Sequence, residues 1–387
     1  MESISEIHIK KSKFQILLIL ALSLVTLILA ITSMGVGSSE NLGFFSTFKI
    51  VLGIDQSNDI QSSIIWRIRL PRVIIAIVGG AALATAGALM QGSLGNPLVS
   101  PLTLGVASGA ALGAALGIII GFSISEPIGI IIDFLWNLIL NIIIYPVNMI
   151  SMAIFSVALD IPPIPFTGAE TVIITNAFIF SLFVVFLIIK LGNYRSVSAE
   201  SYILVGIAIT FICGAIVSTM TYFASDSQLS QLTHWSFGSL ARTSLIQSIS
   251  ISIIIILLMP NAMKWAWDLN SLSLGGDDFA ISTGVDPIVT RKKILILSAF
   301  MTSIIISFTG LIGFLGLAAP HMSRLIVGND YRKLIPCSAV FGSLLMLFAD
   351  TLGRTLFAPI VIPVGIMLSI IGGPFFMYLL LQKRRKY

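Results

Sequence analysis

Long apolar segments recur along this chain, and short polar stretches separate them. An α-helix needs about 20 apolar residues to cross the hydrocarbon core of a bilayer. Ten segments are therefore predicted to be transmembrane helices: 14–33, 73–91, 102–121, 171–190, 201–223, 245–263, 294–311, 312–323, 335–353 and 364–382. The eighth is too short to span alone, and its glycine-rich start predicts a half helix that is covered by protein or lines a water-filled path.

Composition supports the same fold class, an all-α polytopic membrane protein with a single transmembrane domain over residues 1–387. Hydrophobic residues make up 56% of the chain and charged residues only 10%, and the mean hydropathy is +1.03. A soluble domain cannot keep that much apolar surface away from water. Four prolines near the boundaries of apolar segments are interpreted as marking helix ends: Pro97, Pro101, Pro320 and Pro363.

The distribution of charge predicts the orientation of the helices. Ten spans put both termini on one side, and a cytoplasmic location for that side places 16 of the 22 Lys and Arg residues inside. This satisfies the positive-inside rule and predicts a multi-pass protein of the cell membrane with both termini cytoplasmic. The basic residues left outside oppose the rule and need another role: Lys49, Arg67, Arg69, Arg72, Arg242 and Arg354.

Residues 125–168 do not fit a regular span. Four polar residues recur there at intervals of four, four and seven, and therefore share one helical face: Asp133, Asn137, Asn141 and Asn148. The segment must cross the membrane zero times or twice if the C-terminus is to stay inside. We interpret it as an extracellular-side insertion, either an interfacial helix on the outer face or a re-entrant hairpin, broken near Tyr145 and Pro146.

Small residues indicate where helices pack closely. The third predicted span has five glycines, each four residues from the next, which form one flat stripe on a helix: Gly105, Gly109, Gly113, Gly117 and Gly121. A stripe of this kind favours close contact with another backbone, and the alternative is that it lines a path for a bulky solute. Cys213 and Cys337 each lie in or beside an apolar run and are interpreted as small core residues.

Several kinds of chemistry have no support in the sequence. The chain lacks G-x-x-x-x-G-K-[ST] and has no Gly-Lys pair at all, so the phosphate cradle of P-loop enzymes is missing. No His, Cys or acidic residues show metal-ligand spacing, and no nucleophile is paired with a base. We expect no enzymatic activity, no metal and no cofactor on this chain. If its function depends on ATP, another chain must hydrolyse it.

Four motifs resemble the FecCD family: WRIRLPR (66–72), GGAALATAGALMQGSLGNPLVSPLTLGVASGA (79–110), GLIGFLGLAAPHMSR (310–324) and ADTLGR, IPVGI and GGPFF within 349–376. The resemblance covers residues 14–124 and 169–387. It implies the permease subunit of an ABC importer for an iron–siderophore, haem or vitamin B12, with ten spans. It also implies a homodimer of permeases, two ABC ATPase subunits and a substrate-binding protein. Membrane lipid is the remaining expected partner, and nucleic acid is not one.

The resemblance assigns a role to three of the outer arginines. In the similar vitamin B12 permease, the arginines at the positions of Arg69, Arg72 and Arg354 receive glutamates of the binding protein. An arginine fork offers planar, bidentate donors to a carboxylate and therefore fixes the orientation of a docked partner. Arg67 lies outside the family pattern.

Residues 269–286 resemble the cytoplasmic segment that couples these permeases to their ATPase, and we call them the coupling segment. Gly276, Asp277 and Asp278 stand in place of the family's Gly-Glu-Glu start. The aspartates favour the first turn of a short helix because they face its dipole, and Gly284 would end that helix. The candidate contact residues for the ATPase are Gly276, Asp277, Asp278, Phe279, Ala280 and Gly284.

Two further loops match the family's cytoplasmic gate, which would constrict the axis between two permeases. They are QGSLGNPL (91–98) and SAES (198–201). The resemblance places Asn96 and Leu98 on the first gate loop and Ser198, Ala199 and Glu200 on the second. Glu200 replaces a hydroxyl residue of the B12 permease. In a dimer of permeases, the two copies of Glu200 would put a pair of charges near the exit.

The main alternative is an ion-coupled secondary transporter, which is also polytopic. Such a transporter normally has ionisable groups near the middle of the membrane. The ten predicted spans are almost free of them, and Asp350 lies near the end of its span. The pattern therefore favours the ABC permease, although the transported chelate is not specified by the sequence.

Overall fold

A computed structural model describes residues 4–36, 44–51, 59–124, 169–195 and 198–383. Every regular element within these ranges is helical. The helices are α1 (Ile4–Gly35), α2 (Phe44–Val51), α3 (Asp59–Ile64), α4 (Leu70–Ser93), α5 (Val106–Ala115), α6 (Ala169–Arg195), α7 (Ala199–Tyr222), α8 (Asp226–Ser236), α9 (Leu245–Lys264), α10 (Ala266–Ser282), α11 (Pro287–Thr309), α12 (Leu315–Val327), α13 (Tyr331–Thr355) and α14 (Val364–Lys383). π-helical turns occupy Ile65–Arg69 and Leu116–Ile120, and a 3₁₀ turn occupies Leu240–Arg242.

The predicted fold class is confirmed, because each of the ten predicted spans coincides with a helix. Seven helices in the described ranges are long and apolar enough to cross a membrane. Of the other three predicted spans, two lie on shorter helices, namely α5 with its π-helical turn and α12, and the third lies on α14. Helix α12 has 13 residues, or about 20 Å at 1.5 Å per residue, and is the predicted half helix.

The second predicted span is longer than the pattern indicated. It was expected over 73–91, but a continuous apolar helix covers Ile60–Ser93. In the π-helical turn, the amide of Leu70 donates to the Ile65 carbonyl. Pro71 follows directly after this π-helical turn and has no N–H to continue the helical hydrogen bonds. The WRIRLPR motif therefore lies within a helix and not at the mouth of one.

Helix α4 lies at the centre of the bundle and packs against α9, α11, α12 and α13. Glycines allow this close packing. A Cβ added to Gly80 would lie 2.4 Å from the Gly342 carbonyl oxygen, and one added to Gly87 would lie 1.9 Å from that of Gly316. Backbones approach this closely only where side chains are absent. Helix α4 is thus held rigidly by its neighbours along most of its length.

The glycine stripe performs the predicted packing role in its central part. Added Cβ atoms at Gly109 and Gly113 would meet the α6 backbone at 2.7 and 2.3 Å, and Gly117 faces the same helix. Gly105 and Gly121 instead flank the helix, with φ values of +89° and +69°. Cys213 and Cys337 are free and buried, which confirms their interpretation as core residues.

The interpretation of Pro320 as a helix end is wrong, because it lies inside α12. A proline at this position leaves the carbonyl of the residue four positions earlier without its helical donor. That carbonyl, of Gly316, accepts a hydrogen bond from Gln91 Nε2 of α4 at 3.3 Å. Gln91 Oε1 in turn accepts from Arg324 Nη1. A side chain of α4 thus replaces the bond that the proline removes.

Candidate functional site

The three predicted docking arginines lie at one end of the bundle, where Asp350 joins two of them. Arg72 Nε donates to Asp350 Oδ1 at 2.6 Å. Arg354, one turn after Asp350 on α13, donates from Nε to Oδ2 at 3.0 Å. Arg69 lies one turn before Arg72 and donates from Nη1 to the Met34 carbonyl at 2.7 Å. We call Arg69, Arg72, Asp350 and Arg354 the arginine cluster.

The C-terminal end of α1 accounts for part of this arrangement. The last carbonyls of a helix lack partners within it and form the negative end of the helix dipole. Arg354 donates from Nη2 to the Ser33 carbonyl and from Nη1 to the Val36 carbonyl, each at 3.1 Å. With the bond from Arg69 to Met34, two arginines cap α1. These contacts fix α1 against α4 and α13.

Positive charge exceeds negative charge within the arginine cluster. It has three guanidinium groups and one carboxylate, and all four residues are buried, with Arg69 and Arg72 each 5% exposed. The Nη2 atom of Arg72 has no hydrogen-bond partner among the residues that the structure describes. A buried donor without a partner is costly. The cluster therefore has the capacity to accept an additional anionic group.

The sequence identified the three arginines but not the residues that hold them. The Asp350–Arg354 contact could have been predicted, because residues four apart on a helix can form a salt bridge. The carbonyls of α1 gave no signal, because they lie more than thirty residues from Arg69 and over three hundred from Arg354. Docking of a partner at these arginines stays a prediction.

The coupling segment contains the short helix that the sequence predicted. Helix α10 is interrupted at Gly275 and Gly276, whose backbone angles are not helical. Residues 277–282 continue as a separate turn of helix, which we call the coupling helix. Gly284 has a φ of +81°, and the Val285 amide donates to the Ala280 carbonyl at 2.9 Å. This is the glycine helix end that was expected.

The two aspartates of the coupling segment have different surroundings. Asp278 is exposed, whereas Asp277 accepts two hydrogen bonds from Arg291 of α11. Arg291 is buried and also donates from Nε to the Ser93 carbonyl at the end of α4, at 2.8 Å. Sequence reasoning missed Arg291, which stands in the basic triplet 291–293 and was counted only as an inside charge.

The two gate loops lie at the same end of the bundle as the coupling segment. The first begins at the end of α4, and the Leu98 amide donates to Asn96 Oδ1 at 2.9 Å in a tight turn. In the second, Ser198 caps α7 by accepting from the Ser201 amide. Glu200 interacts electrostatically with both Arg291 and Asp277. We call Arg291, Asp277, the Ser93 carbonyl and Glu200 the Arg291 junction.

A cleft of about 810 Å³ separates the first gate loop from α10 and the start of α13. Asn270 fixes α10 on the far side of this cleft by donating to Asp330 at 2.9 Å and accepting from the Tyr331 amide at 2.8 Å. Arg332 donates to Asp330 and holds the pKa of that carboxyl at about 2. Asp330 therefore stays ionised and, through Asn270, holds the N-terminal part of α10 in place.

The structure bears differently on the predicted insertion and on the expected absence of a metal site. The insertion 125–168 and its polar face lie outside them. Among the described residues, no group of three or more His, Cys, Asp or Glu side chains is arranged to hold a metal ion.

The chain matches the FecCD transport family over residues 24–159 and 147–382, and the two matched stretches overlap within the insertion. The chain belongs to the FecCD transport family. It is 35% identical over 367 residues to the hemin transport system permease protein HmuU of Yersinia pestis, covering 95% of this chain and 97% of that protein. The Fe(3+)-citrate import system permease protein YfmE of Bacillus subtilis is 30% identical over 97% of this chain and 98% of its own length.

The vitamin B12 import system permease protein BtuC of Vibrio cholerae is 29% identical over 84% of this chain and 85% of its own length. Among solved structures, a metal-chelate type ABC transporter in an inward-facing conformation superposes with a TM-score of 0.73 at 25% identity. That match covers 94% of this chain and 99% of the other. Family membership and fold are thus established together, and the chain is a multi-pass membrane protein.

Proposed function

We propose that this chain is the permease subunit of an ABC importer for a metal chelate such as an iron–siderophore, haem or vitamin B12. The named relatives serve import of hemin, ferric citrate and vitamin B12, which supports this substrate class. In this proposal, a binding protein delivers the substrate and a separate ATPase supplies the energy. The observation that carries it is the exposed apolar surface around the coupling helix.

Apolar side chains on a loop between spans are expected to be covered by a protein partner. Leu274, Phe279 and Ile281 are 76%, 42% and 61% exposed around the coupling helix. The helix is compact, its end is fixed by Gly284, and its start is held by the Asp277–Arg291 pair. A knob of this shape is suited to a cleft in an ATPase subunit, whose movement it would follow as a rigid unit.

The arginine cluster would receive carboxylates of the binding protein. Its excess positive charge and the unpartnered Nη2 of Arg72 support this role. Access requires the partner to displace or reorient buried side chains, so docking would involve exchange at the cluster and not simple surface contact. In the proposed orientation in the membrane, the arginine cluster faces the outside, where the binding protein docks, and both chain termini lie in the cytoplasm.

A second copy of this chain would complete the pathway. Helix α7 exposes the apolar residues Leu204, Phe211 and Ile212 along its length, so one of its faces is free to meet lipid or another permease. The gate loops 91–98 and 198–201 lie at the end of α4 and the start of α7, where two copies would bring them to a common axis. Homodimerisation would therefore place two Leu98 side chains and two Glu200 carboxylates around the exit.

Reconstitution tests this proposal. The chain, its ATPase and its binding protein would be placed in proteoliposomes, and uptake of labelled cobalamin, haem and ferric siderophores would be measured with and without ATP. We expect uptake only with all three components and ATP, and no ATP hydrolysis by the chain alone. Uptake by the chain alone, driven by a proton or sodium gradient, would instead establish a secondary transporter and refute the proposal.

A further inference from the structure

Arg291 contacts two separate parts of the predicted transport machinery and interacts electrostatically with a third. Its Nη1 donates to Asp277 Oδ2 at 2.7 Å, and its Nη2 donates to Asp277 Oδ1. Its Nε donates to the Ser93 carbonyl oxygen at 2.8 Å. Glu200, at the start of α7, interacts with it only electrostatically, through a contribution smaller than the hydrogen bonds that Glu200 makes with its own backbone and with Ser198. One guanidinium thus connects the coupling helix with the start of the first gate loop.

The surroundings of Arg291 make this connection stiff. The residue is 5% exposed and stands in the first turns of α11, whose N-terminus is capped by Asp286. Asp286 Oδ1 accepts from the Ile288 and Val289 amides at 2.9 and 3.1 Å. A planar guanidinium that is bonded on both edges has little freedom to absorb a displacement. A movement of Asp277 is therefore passed on to the atoms on the other edge.

The other edge of the guanidinium holds the start of the first gate loop. Ser93 is the last residue of α4, and carbonyls in the last turn of a helix have no donor within that helix. Arg291 Nε supplies a donor to this carbonyl. Leu94 and Gly95 follow, and Gly95 turns the chain with a φ of +60°. The exposed gate residue Leu98 is only five residues beyond Ser93.

We propose that Arg291 is a positioning residue that transmits movement of the coupling helix to the cytoplasmic gate. The inference rests on the proposed function, since it requires an ATPase that moves the coupling helix. When Asp277 moves, the guanidinium turns with it and shifts the Ser93 carbonyl, and the gate loop that begins there changes position.

A lysine at this position would keep the charge but not the geometry. Its ammonium is a compact point charge on a flexible stem, whereas the arginine fork bonds a carboxylate with two nitrogens and still presents Nε on its other edge. Arg291→Lys therefore separates electrostatic attraction from rigid connection. Arg291→Gln removes both, and the neighbouring Lys292→Gln removes one positive charge from the same turn without touching Asp277 or Ser93.

The test uses the full transporter with its ATPase and binding protein in proteoliposomes, and measures both ATP hydrolysis and substrate uptake. For Arg291→Lys we expect uptake per ATP hydrolysed to fall about tenfold, the scale of one lost charge-assisted hydrogen bond. Complex assembly and hydrolysis should stay within about twofold of wild type. Asp277→Asn also alters a candidate ATPase contact, so it is compared only by uptake per ATP hydrolysed in the assembled complex. On that measure it should show the same loss, and the double variant should be no worse than either single one.

Each remaining outcome overturns the inference. Unchanged uptake per ATP in Arg291→Lys would remove the residue from transmission. A parallel fall of hydrolysis, uptake and assembly would mean that Arg291 only supports folding or ATPase docking. An equal loss in Lys292→Gln would mean that charge alone matters. Failure of the wild-type complex to show any ATP-dependent uptake would instead refute the proposed function, so the two failures are distinguishable.

Discussion

The arginine cluster and the Arg291 junction lie at opposite ends of one helix. Arg72 and Ser93 are 21 residues apart on α4, or about 30 Å at 1.5 Å per residue. At the cluster, two arginines share Asp350, whose side chain is 1% exposed. At the junction, one buried arginine binds Asp277, whose side chain is 40% exposed. Both sites contain an arginine–aspartate salt bridge, but the carboxylate is buried at the cluster and partly exposed at the junction.

This difference shows what each site is suited to do. A fully buried carboxylate is shielded from solvent and partners, so Asp350 can only organise the protein around it. Excess positive charge then remains for an incoming anion. A half-exposed carboxylate on a short helix is within reach of a partner, while its buried arginine extends the contact inward. The cluster is therefore suited to the proposed role of receiving an anion, and the junction to the proposed role of transmitting movement.

The largest expected effect comes from making the same substitution at both ends. Asp350→Asn leaves two buried arginines without their carboxylate and should lower the free energy of unfolding by about 3–5 kcal/mol. Asp277→Asn leaves one buried arginine without a carboxylate that is 40% exposed, so solvent replaces part of the lost contact and the cost should be smaller, about 1–2 kcal/mol. Thermal unfolding of the purified protein in detergent measures both.

A second substitution checks the cause of that loss. Combining Asp350→Asn with Arg354→Gln removes an unpaired buried charge and should recover part of the stability lost by Asp350→Asn alone. Equal losses for Asp350→Asn and Asp277→Asn would contradict the contrast between the two ends.

An intermediate effect is expected from separating α4 and α13. Gly80→Ala places a Cβ 2.4 Å from the Gly342 carbonyl and should cost about 1–3 kcal/mol through overpacking. The Arg72–Asp350 pair joins these two helices, so Gly80→Ala should be non-additive with Asp350→Asn but additive with Asp277→Asn. Gly214→Ala is the control, since an added Cβ there meets no atom within 4 Å. Equal stability of the two alanine variants would disprove the close crossing.

The smallest effect concerns salt. Association of the binding protein should weaken as ionic strength rises from about 0.05 to 0.3 M, because attraction to the arginine cluster is screened. Uptake per ATP should not change over this range, since the Arg291 contacts are buried within one chain. The exposed Arg67 serves as a comparison, and Arg67→Gln should alter affinity by less than about 1 kcal/mol. Salt-independent association would argue against charge-driven docking.

Much of the fold could be predicted from the sequence because membrane helices must satisfy their own backbone hydrogen bonds, and apolar length identifies them. The close packing at Gly109 and Gly113 was predictable for a similar local reason. The helix before Leu70 was not, because Gln61, Ser62 and Arg67 make that stretch look like a loop. Its continuation depends on a π-helical turn and on contacts with α1, which no local pattern specifies.

In the candidate functional sites, too, local features could be predicted from the sequence and contacts between distant residues could not. Asp277 and Gly284 were recognisable because the helix start and end are local features. The partner of Asp277 is 14 residues away, and Arg291 reaches Ser93 across 198 residues of sequence. Only the packed arrangement of α4, α10 and α11 brings these groups together. Pro320 shows the same limit, since a side chain from α4 compensates for its missing donor.

The most direct test of transmission is to observe the coupling helix and the gate separately. Nitroxide labels at Ile281 and at Leu98, in separate samples, would report on each by electron paramagnetic resonance, because both side chains are exposed and the native cysteines are buried. In the wild-type complex, ATP binding should change both spectra. In Arg291→Lys, we expect the Ile281 spectrum still to change while the Leu98 spectrum does not. A Leu98 spectrum that changes in Arg291→Lys as much as in the wild type would contradict transmission through Arg291.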